Sequence, residues 1–374
     1  MSKFLIEKLQ GLEEYVPGEQ PKDKSYIKLN TNESPFPPSE NVLAAIDKEC
    51  VSNLKLYCDI DCTALKQEFC KIYDVTPNNI IFGNGSDEIL NYCFYGFCSD
   101  KNPVVFPDIT YGFYKVFGDL YNIDYTEIPL DKNFEINPDD YIGINKNIVI
   151  ANPNAPTGIE LPLETIEKIV STNSENIVVI DEAYVDFGGT SAYKLTKKYN
   201  NLIVTGTFSK SRSLAGARLG FAIACEELIK DLNKIKFSTN PYNINSLTQK
   251  VGIATLKDND YYMNNCKEII KNREFTTNEL KKLGFSVLPS KANFVFAKHN
   301  EKSGEELYNA LREKGILIRR LSPTRIKDYL RITIGTKEQM TALIDALKII
   351  LWGEKIENSS NSKKNRRNRY FAWT

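Results

Sequence analysis

The sequence predicts an α/β protein, a large domain on a mostly parallel sheet followed by a smaller α+β domain. Three observations predict it. Short continuous apolar runs, among them Val104-Val105-Phe106 and Ile177-Val178-Val179-Ile180, alternate with helix-periodic segments from Ile80 to Ala224. Strands buried on both faces by crossover helices leave that pattern. Polar residues collect where the runs end, at Ser86-Asp87, Tyr111, Asn154, Asp181, Tyr184 and Lys210, and open α/β sheets bind ligands at the carboxyl ends of their strands. Beyond Leu283 the pattern changes to strands set around one helix.

The chain to Pro38 is rich in Pro, Asn, Ser and Lys and reads as an extended arm, bounded at residues 1–45. Val42, Leu43 and Ile46 fall at helical spacing behind Ser39, a candidate N-cap, so a helix is expected over 39–50 and a second over 63–73. Ile80-Ile81-Phe82 is a strand ending in Gly83-Asn84-Gly85-Ser86, a turn that opens a helix and aims its backbone N–H groups at an anion. Glu88 stands where a dinucleotide fingerprint needs its third glycine, so a Rossmann reading fails. Strands follow over 104–107, 123–128, 147–151, 177–180 and 202–205, with 221–224 as a return strand. A long helical stretch, 243–283, leads to strands over 285–288, 292–296 and 329–334 around a helix over 304–314, and a last helix runs from 337 to 352. The expected organisation is therefore an arm (1–45), a large domain (46–262), a small domain (263–354) and a basic, disordered tail (355–374).

Composition excludes several functions. Lys plus Arg equals Asp plus Glu at 48 each, so no global field favours nucleic acid or a membrane surface. No apolar run is long enough to span a bilayer, and Lys3, Glu7 and Lys8 interrupt the first apolar residues too early for a signal peptide. Eight cysteines form no Cys-x-x-Cys pair, which argues against a metal site and for reduced thiols in a cytoplasmic protein. The sole histidine, His299, lies between Lys298 and Asn300 with no motif around it, which makes Ser/His/Asp hydrolysis improbable.

The chemistry centres on Thr207-Phe208-Ser209-Lys210-Ser211-Arg212, followed by Arg218. An amine at a strand end among hydroxyl donors suits a Schiff-base lysine beside a phosphate site, and this stretch alone equally fits a surface lysine in a Ser-rich turn.

The motifs Asn30-Thr31-Asn32-Glu33-Ser34-Pro35, Gly85-Ser86-Asp87-Glu88, Pro153-Asn154-Ala155-Pro156-Thr157-Gly158, Asp181-Glu182-Ala183-Tyr184, Ser209-Lys210, Arg218 and Leu330-Arg331-Ile332-Thr333 occur in that order. With them the chain resembles the fold-type-I pyridoxal-phosphate aminotransferases of class I/II, and within them the histidinol-phosphate aminotransferases, from Tyr15 to Leu347. The resemblance implies a pyridoxal 5′-phosphate cofactor carried as an aldimine on Lys210. It sets Asp181 on the pyridine nitrogen, Tyr184 on the phenolic oxygen and the ring of Tyr111 against the cofactor. It gives the phosphate to the backbone of Ser86 and Asp87, to Ser209 and to Arg218, with Tyr57 reaching the phosphate of a neighbouring subunit in a homodimer. Arg331, Arg319, Tyr15 and Asn32 are implied as substrate-binding residues, Arg320 competing with Arg319 for that place. The family's usual asparagine before Pro-Thr-Gly is Ala155 here, so either Asn154 shifts to the phenolic oxygen or Tyr184 acts there with water.

The implied function is ping-pong amino transfer between histidinol phosphate and 2-oxoglutarate in histidine biosynthesis. Alternatives are an aromatic or aminophosphonate transaminase, or a pyridoxal-phosphate lyase such as a threonine-phosphate decarboxylase.

Overall fold

The computed structural model describes residues 2–13 and 15–368, with the backbone alone over 354–368. The chain forms two compact units. The first comprises residues 1–17, 33–270 and 289–293, and the second residues 18–32, 271–288 and 294–374. The segment expected as one arm is thus divided, 18–32 joining the second unit and its flanks the first.

Strand β1 (Ile27–Lys28) belongs to the second unit and is taken up below. The first unit is built on a seven-stranded sheet of β2 (Ile80–Asn84), β3 (Val104–Pro107), β4 (Tyr125–Ile128), β5 (Asn147–Ala151), β6 (Val178–Asp181), β7 (Leu202–Thr207) and β8 (Leu219–Ile223), in the order β2-β8-β7-β6-β5-β3-β4. Only β8 runs against its neighbours; every other pair is parallel. Helices α1 (Glu40–Ala44), α2 (Lys48–Ser52), α3 (Thr63–Phe69), α4 (Ser86–Phe97), α5 (Phe113–Tyr121), α6 (Leu163–Thr172), α7 (Glu226–Thr239) and α8 (Ser246–Lys257) accompany it.

The period-two geometry of a strand explains why the apolar runs are unbroken. Val149, Val179 and Ile203 enter one core with Phe94 of α4, Tyr114 of α5 and Leu232 of α7. Their sequence neighbours Ile148, Ile150, Val178, Ile180, Leu202 and Val204 enter a second core with Ile166, Ile169 and Val170 of α6. Both faces of the sheet are therefore covered, and only the strand ends remain for polar work.

Two glycines set how closely β8 approaches the β2–α4 turn. A Cβ on Gly220 would lie 2.3 Å from Ser86 N and 2.4 Å from Gly85 C, and Gly85 itself has φ +78°. Backbone packed against backbone leaves no side chain that could move aside.

Some boundaries differ from the sequence reading for local reasons. The helix expected over 39–50 divides into α1 and α2, because Asp47 caps the second, its carboxylate accepting the Cys50 N–H at 2.7 Å. The stretch 243–283 is two helices, α8 and α9 (Asn259–Lys282), interrupted at Asp258. The expected large/small domain boundary after residue 262 falls inside α9.

In the second unit, β9 (Phe285–Val287), β10 (Phe294–His299), β12 (Arg319–Arg320) and β13 (Leu330–Thr333) form an antiparallel sheet in the order β12-β13-β10-β9, while β1 pairs in parallel with β11 (Ile316–Leu317). This is the predicted α+β pattern, completed by α10 (Gly304–Glu313) and α11 (Lys337–Asn368). A capping box between Ser303 and Glu306 starts α10. The backbone of α11 stays helical through Asn368, past the end expected at 352 and through 355–368, where a disordered tail is expected; 369–374 lie outside the described residues.

Candidate active site

Most of the predicted cofactor residues belong to the first unit and are brought together at the carboxyl ends of β2, β6 and β7. Asp181 is the last residue of β6 and is only 4 % exposed. Its Oδ2 accepts the Tyr114 hydroxyl at 2.8 Å and its Oδ1 the Thr205 hydroxyl at 3.3 Å. Burial, with the Asp87 charge adding to it, pushes the carboxyl up to about 6 against the pull of those hydroxyls and of a backbone N–H at Ala183. A group so placed gains from a cation set against it. Next to it, burial pushes Glu182 up to about 8, although the Ser191 hydroxyl and the Ala192 N–H (2.6 Å) both donate to it. Tyr184 follows, half-buried, at the start of a 3₁₀ turn over Val185–Phe187.

Lys210 is half-buried three residues beyond β7, and its loop is pinned on both sides. Ser209 N donates to Thr207 Oγ1 at 3.1 Å. The Ser211 hydroxyl donates to Asp186 at 2.5 Å, and the buried Arg212 donates to Asn259 Oδ1 at 2.9 Å. Arg218, in the left-handed region at φ +55°, reaches back toward this loop. Its Nη1 lies 3.4 Å from Ser209 Oγ and its Nη2 3.2 Å from Asp87 Oδ2, while its carbonyl accepts the Gly85 N–H at 3.0 Å. Ser86 and Asp87 form the first turn of the twelve-residue α4, so Arg218, Ser209 and the open N–H groups of that helix gather where a dianion fits. The Tyr111 hydroxyl donates to the second Asp87 oxygen at 2.7 Å, and Tyr15 stacks on Phe113 at 4.4 Å with its edge toward Tyr111 at 6.2 Å.

Two predicted residues sit differently. Asn154 is buried, and its amide donates to Ile109 O at 2.9 Å and Thr157 Oγ1 at 3.1 Å while accepting from Thr110 Oγ1 at 2.8 Å. Both amide hydrogens are spent inside the loop, which makes this side chain a clamp on the turn rather than a donor to a ligand. Tyr57 lies away from this cluster, 82 % exposed and stacked on Tyr242 at 4.2 Å.

The second unit holds the other three. Arg331 on β13 donates to Asn30 O at 2.9 Å and lies over the Phe294 ring. Arg319 is its direct partner across the β12–β13 ladder. Arg320 instead meets Glu305 at 3.3 Å and Lys327 O at 3.1 Å. The buried Asn32, at φ +56°, exchanges hydrogen bonds with Thr333 Oγ1, both at 3.0 Å. Sequence reasoning missed Tyr114 and Thr205. Neither gave a local signal: Tyr114 lies among aromatic core residues and Thr205 inside an apolar strand.

The chain matches the family model described as aminotransferase class I and II over residues 24–347. It belongs to that family. This aminotransferase is 49 % identical over 352 residues to the histidinol-phosphate aminotransferase of Brachyspira hyodysenteriae, an alignment covering 94 % of this chain and 99 % of the relative. Among solved structures, the histidinol-phosphate aminotransferase from Clostridium acetobutylicum superposes with a TM-score of 0.80 at 27 % identity, covering 87 % of this chain and 98 % of that one. The histidinol-phosphate aminotransferase from Sinorhizobium meliloti in complex with pyridoxal-5′-phosphate shares the fold, with a TM-score of 0.81 at 24 % identity over 88 % of this chain and 92 % of that one. Membership makes this a pyridoxal-phosphate-dependent enzyme.

Both buried carboxyls are held above their ordinary values, so both weaken the fold as pH rises, Glu182 over the wider window. Glu182 keeps its proton in the fold up to about pH 8, whereas the unfolded residue loses it near the ordinary glutamate value of 4.5. Unfolding is therefore favoured progressively as pH rises from about 4.5 to 8. Glu182→Gln, which cannot ionise, is expected to gain stability relative to the native protein across that window, at about 1.4 kcal/mol per pKa unit, and to hold a constant difference above it. Urea titrations of cofactor-free protein at pH 5, 6.5 and 8 check this (round values spanning about that window); a stability difference independent of pH would contradict it.

Proposed function

We propose that this aminotransferase moves an amino group between histidinol phosphate and 2-oxoglutarate, with pyridoxal phosphate held at the strand ends of the first unit. The observation that carries the site is the buried Asp181 carboxyl, with the anion-binding group of Arg218, Ser209 and the α4 N-terminus on the same sheet edge. One position asks for a cation and the other for a dianion. A protonated pyridine ring with a phosphate arm answers both, and the donor set fits that cofactor.

When bound, pyridoxal phosphate supplies an electron sink for charge developing at the substrate α-carbon. Asp181 holds a proton at the ring nitrogen, its ionised form favoured by the cation opposite. The Lys210 amine carries the cofactor and moves the proton at the α-carbon. Tyr184 donates to the phenolic oxygen, the place that Asn154 leaves to it. Ser86, Asp87, Ser209 and Arg218 hold the phosphate, and Tyr111 covers the ring. Arg331 and Arg319 hold the substrate's anionic groups, with Asn32 and Tyr15 as further contacts. Two guanidinium groups directly opposite on a ladder repel one another, and an anion between them reverses that cost. An amine carrying a phosphate suits such a pair, and the 49 % identity to a named histidinol-phosphate aminotransferase supports the same substrate.

The protein works as a homodimer in the cytoplasm. Val51, Leu54, Leu56, Tyr57 and Ile60 are all exposed within ten residues of chain, and exposed apolar residues gathered in this way suit a protein partner. Tyr57 is positioned on that surface to complete a neighbour's phosphate site. Eight free cysteines agree with a reducing compartment.

Converting the bound cofactor to its amine form with single donors, and ranking the rates, tests the substrate. Histidinol phosphate is expected to lead; a lower rank than phenylalanine or aminoethylphosphonate would overturn the choice, as would carbon dioxide release from phosphothreonine without a 2-oxo acid. Sedimentation of the loaded enzyme at micromolar concentration is expected to give a dimer, and a monomer would contradict the assembly.

A further inference from the structure

Tyr114 has 0 % exposure, and its hydroxyl donates to Asp181 Oδ2 at 2.8 Å. A buried phenol usually gives its proton to an acceptor, and this one gives it to the carboxylate that ends β6. The ring cannot turn away. It is wedged among Phe94, Phe106 and Tyr111, with centroid separations of 6.1, 5.8 and 5.7 Å. Burial and the Asp181 charge push its own titration well above the ordinary tyrosine value, so it stays a donor wherever the enzyme works.

We propose that Tyr114 is a positioning residue of the aminotransferase, its hydroxyl fixing the orientation of the Asp181 carboxylate toward the cofactor's ring nitrogen. The proposal rests on the role assigned to Asp181. Without a fixed donor, a carboxylate at a strand end turns among rotamers and offers its lone pairs in no constant direction. Here Oδ2 is tied by Tyr114 from α5 and Oδ1 more loosely by Thr205 from β7, at 3.3 Å. Among the described residues, Asp87 and Cys93 of α4, Tyr111, Glu182 and Tyr184 are titratable groups acting on Asp181 or Tyr114. Of these, Asp87 favours the protonated acid, whereas Tyr114 and Thr205 favour the carboxylate. Tyr114 therefore both aims this carboxylate and helps keep it charged.

Tyr114→Phe retains the ring packing and removes one oxygen. In cofactor-free protein, the Asp181 carboxyl is followed by infrared difference titration against Asp181→Asn. Its apparent pKa is expected to rise by about one unit in Tyr114→Phe, and pyridoxal-phosphate affinity to fall about tenfold. Thr205→Val is expected to shift the titration less, in the same direction, and provides the measurement if Tyr114→Phe does not fold. A folded Tyr114→Phe with unchanged titration and affinity would overturn the proposal, as would a Thr205→Val shift in the opposite direction. Asp181→Asn separates the two levels. If it keeps full affinity and activity, the role of Asp181 itself fails; if it loses them while Tyr114→Phe does not, only the Tyr114 role fails.

Discussion

The arrangement depends on a carboxylate placed where a carboxylate is costly. Asp181 ends a strand whose other residues are packed on both faces, and the sheet leaves it almost no water. Burial alone drives such a group toward its neutral form. Tyr114, Thr205 and a backbone N–H at Ala183 oppose that drive only in part, and the carboxyl rests near 6. A cation set against it would complete the balance. In the proposed site the ring nitrogen of pyridoxal phosphate would be that cation, meeting an electrostatic demand that the fold creates.

The same economy governs the phosphate end. β8 approaches the β2–α4 turn so closely that Gly220 has no room for a side chain, and this approach brings Arg218 over Gly85 and beside Asp87. Arg218 shares Asp87 with Tyr111, so one carboxylate orients both the guanidinium and the ring above it. Exposed ion pairs contribute little stability; the value of this one lies in aiming a planar fork at an anion.

How much of this the sequence disclosed follows from the physics of each element. The parallel strands were legible because residues buried on both faces must all be apolar, as Ile148–Ile150 and Val178–Ile180 are. Asp181, Ser209, Lys210 and Arg218 were legible because polar groups at the ends of such runs have few structural reasons to be there. The divisions at Asp47 and Asp258 were not, because the first depends on a side-chain cap to Cys50 N–H and the second falls at a residue whose carboxylate is held by Ser39 and Asn41, more than 200 positions away. The contacts of Asn154 were not legible, because its hydrogen bonds to Ile109, Thr110 and Thr157 join residues up to 45 positions apart, which no local pattern reveals. Tyr114 escaped for the opposite reason. A tyrosine among Phe94, Phe106 and Phe117 reads as core, and only the fold shows that its hydroxyl meets Asp181.

The central claim is that Lys210, at the end of β7, carries the cofactor. Borohydride reduction of the pyridoxal-phosphate-loaded protein, followed by peptide mass spectrometry, tests it most directly. One modified peptide is expected, with the added mass on Lys210 and none on any other lysine. Stoichiometric label on a different lysine, or none on Lys210 in fully loaded protein, would contradict it.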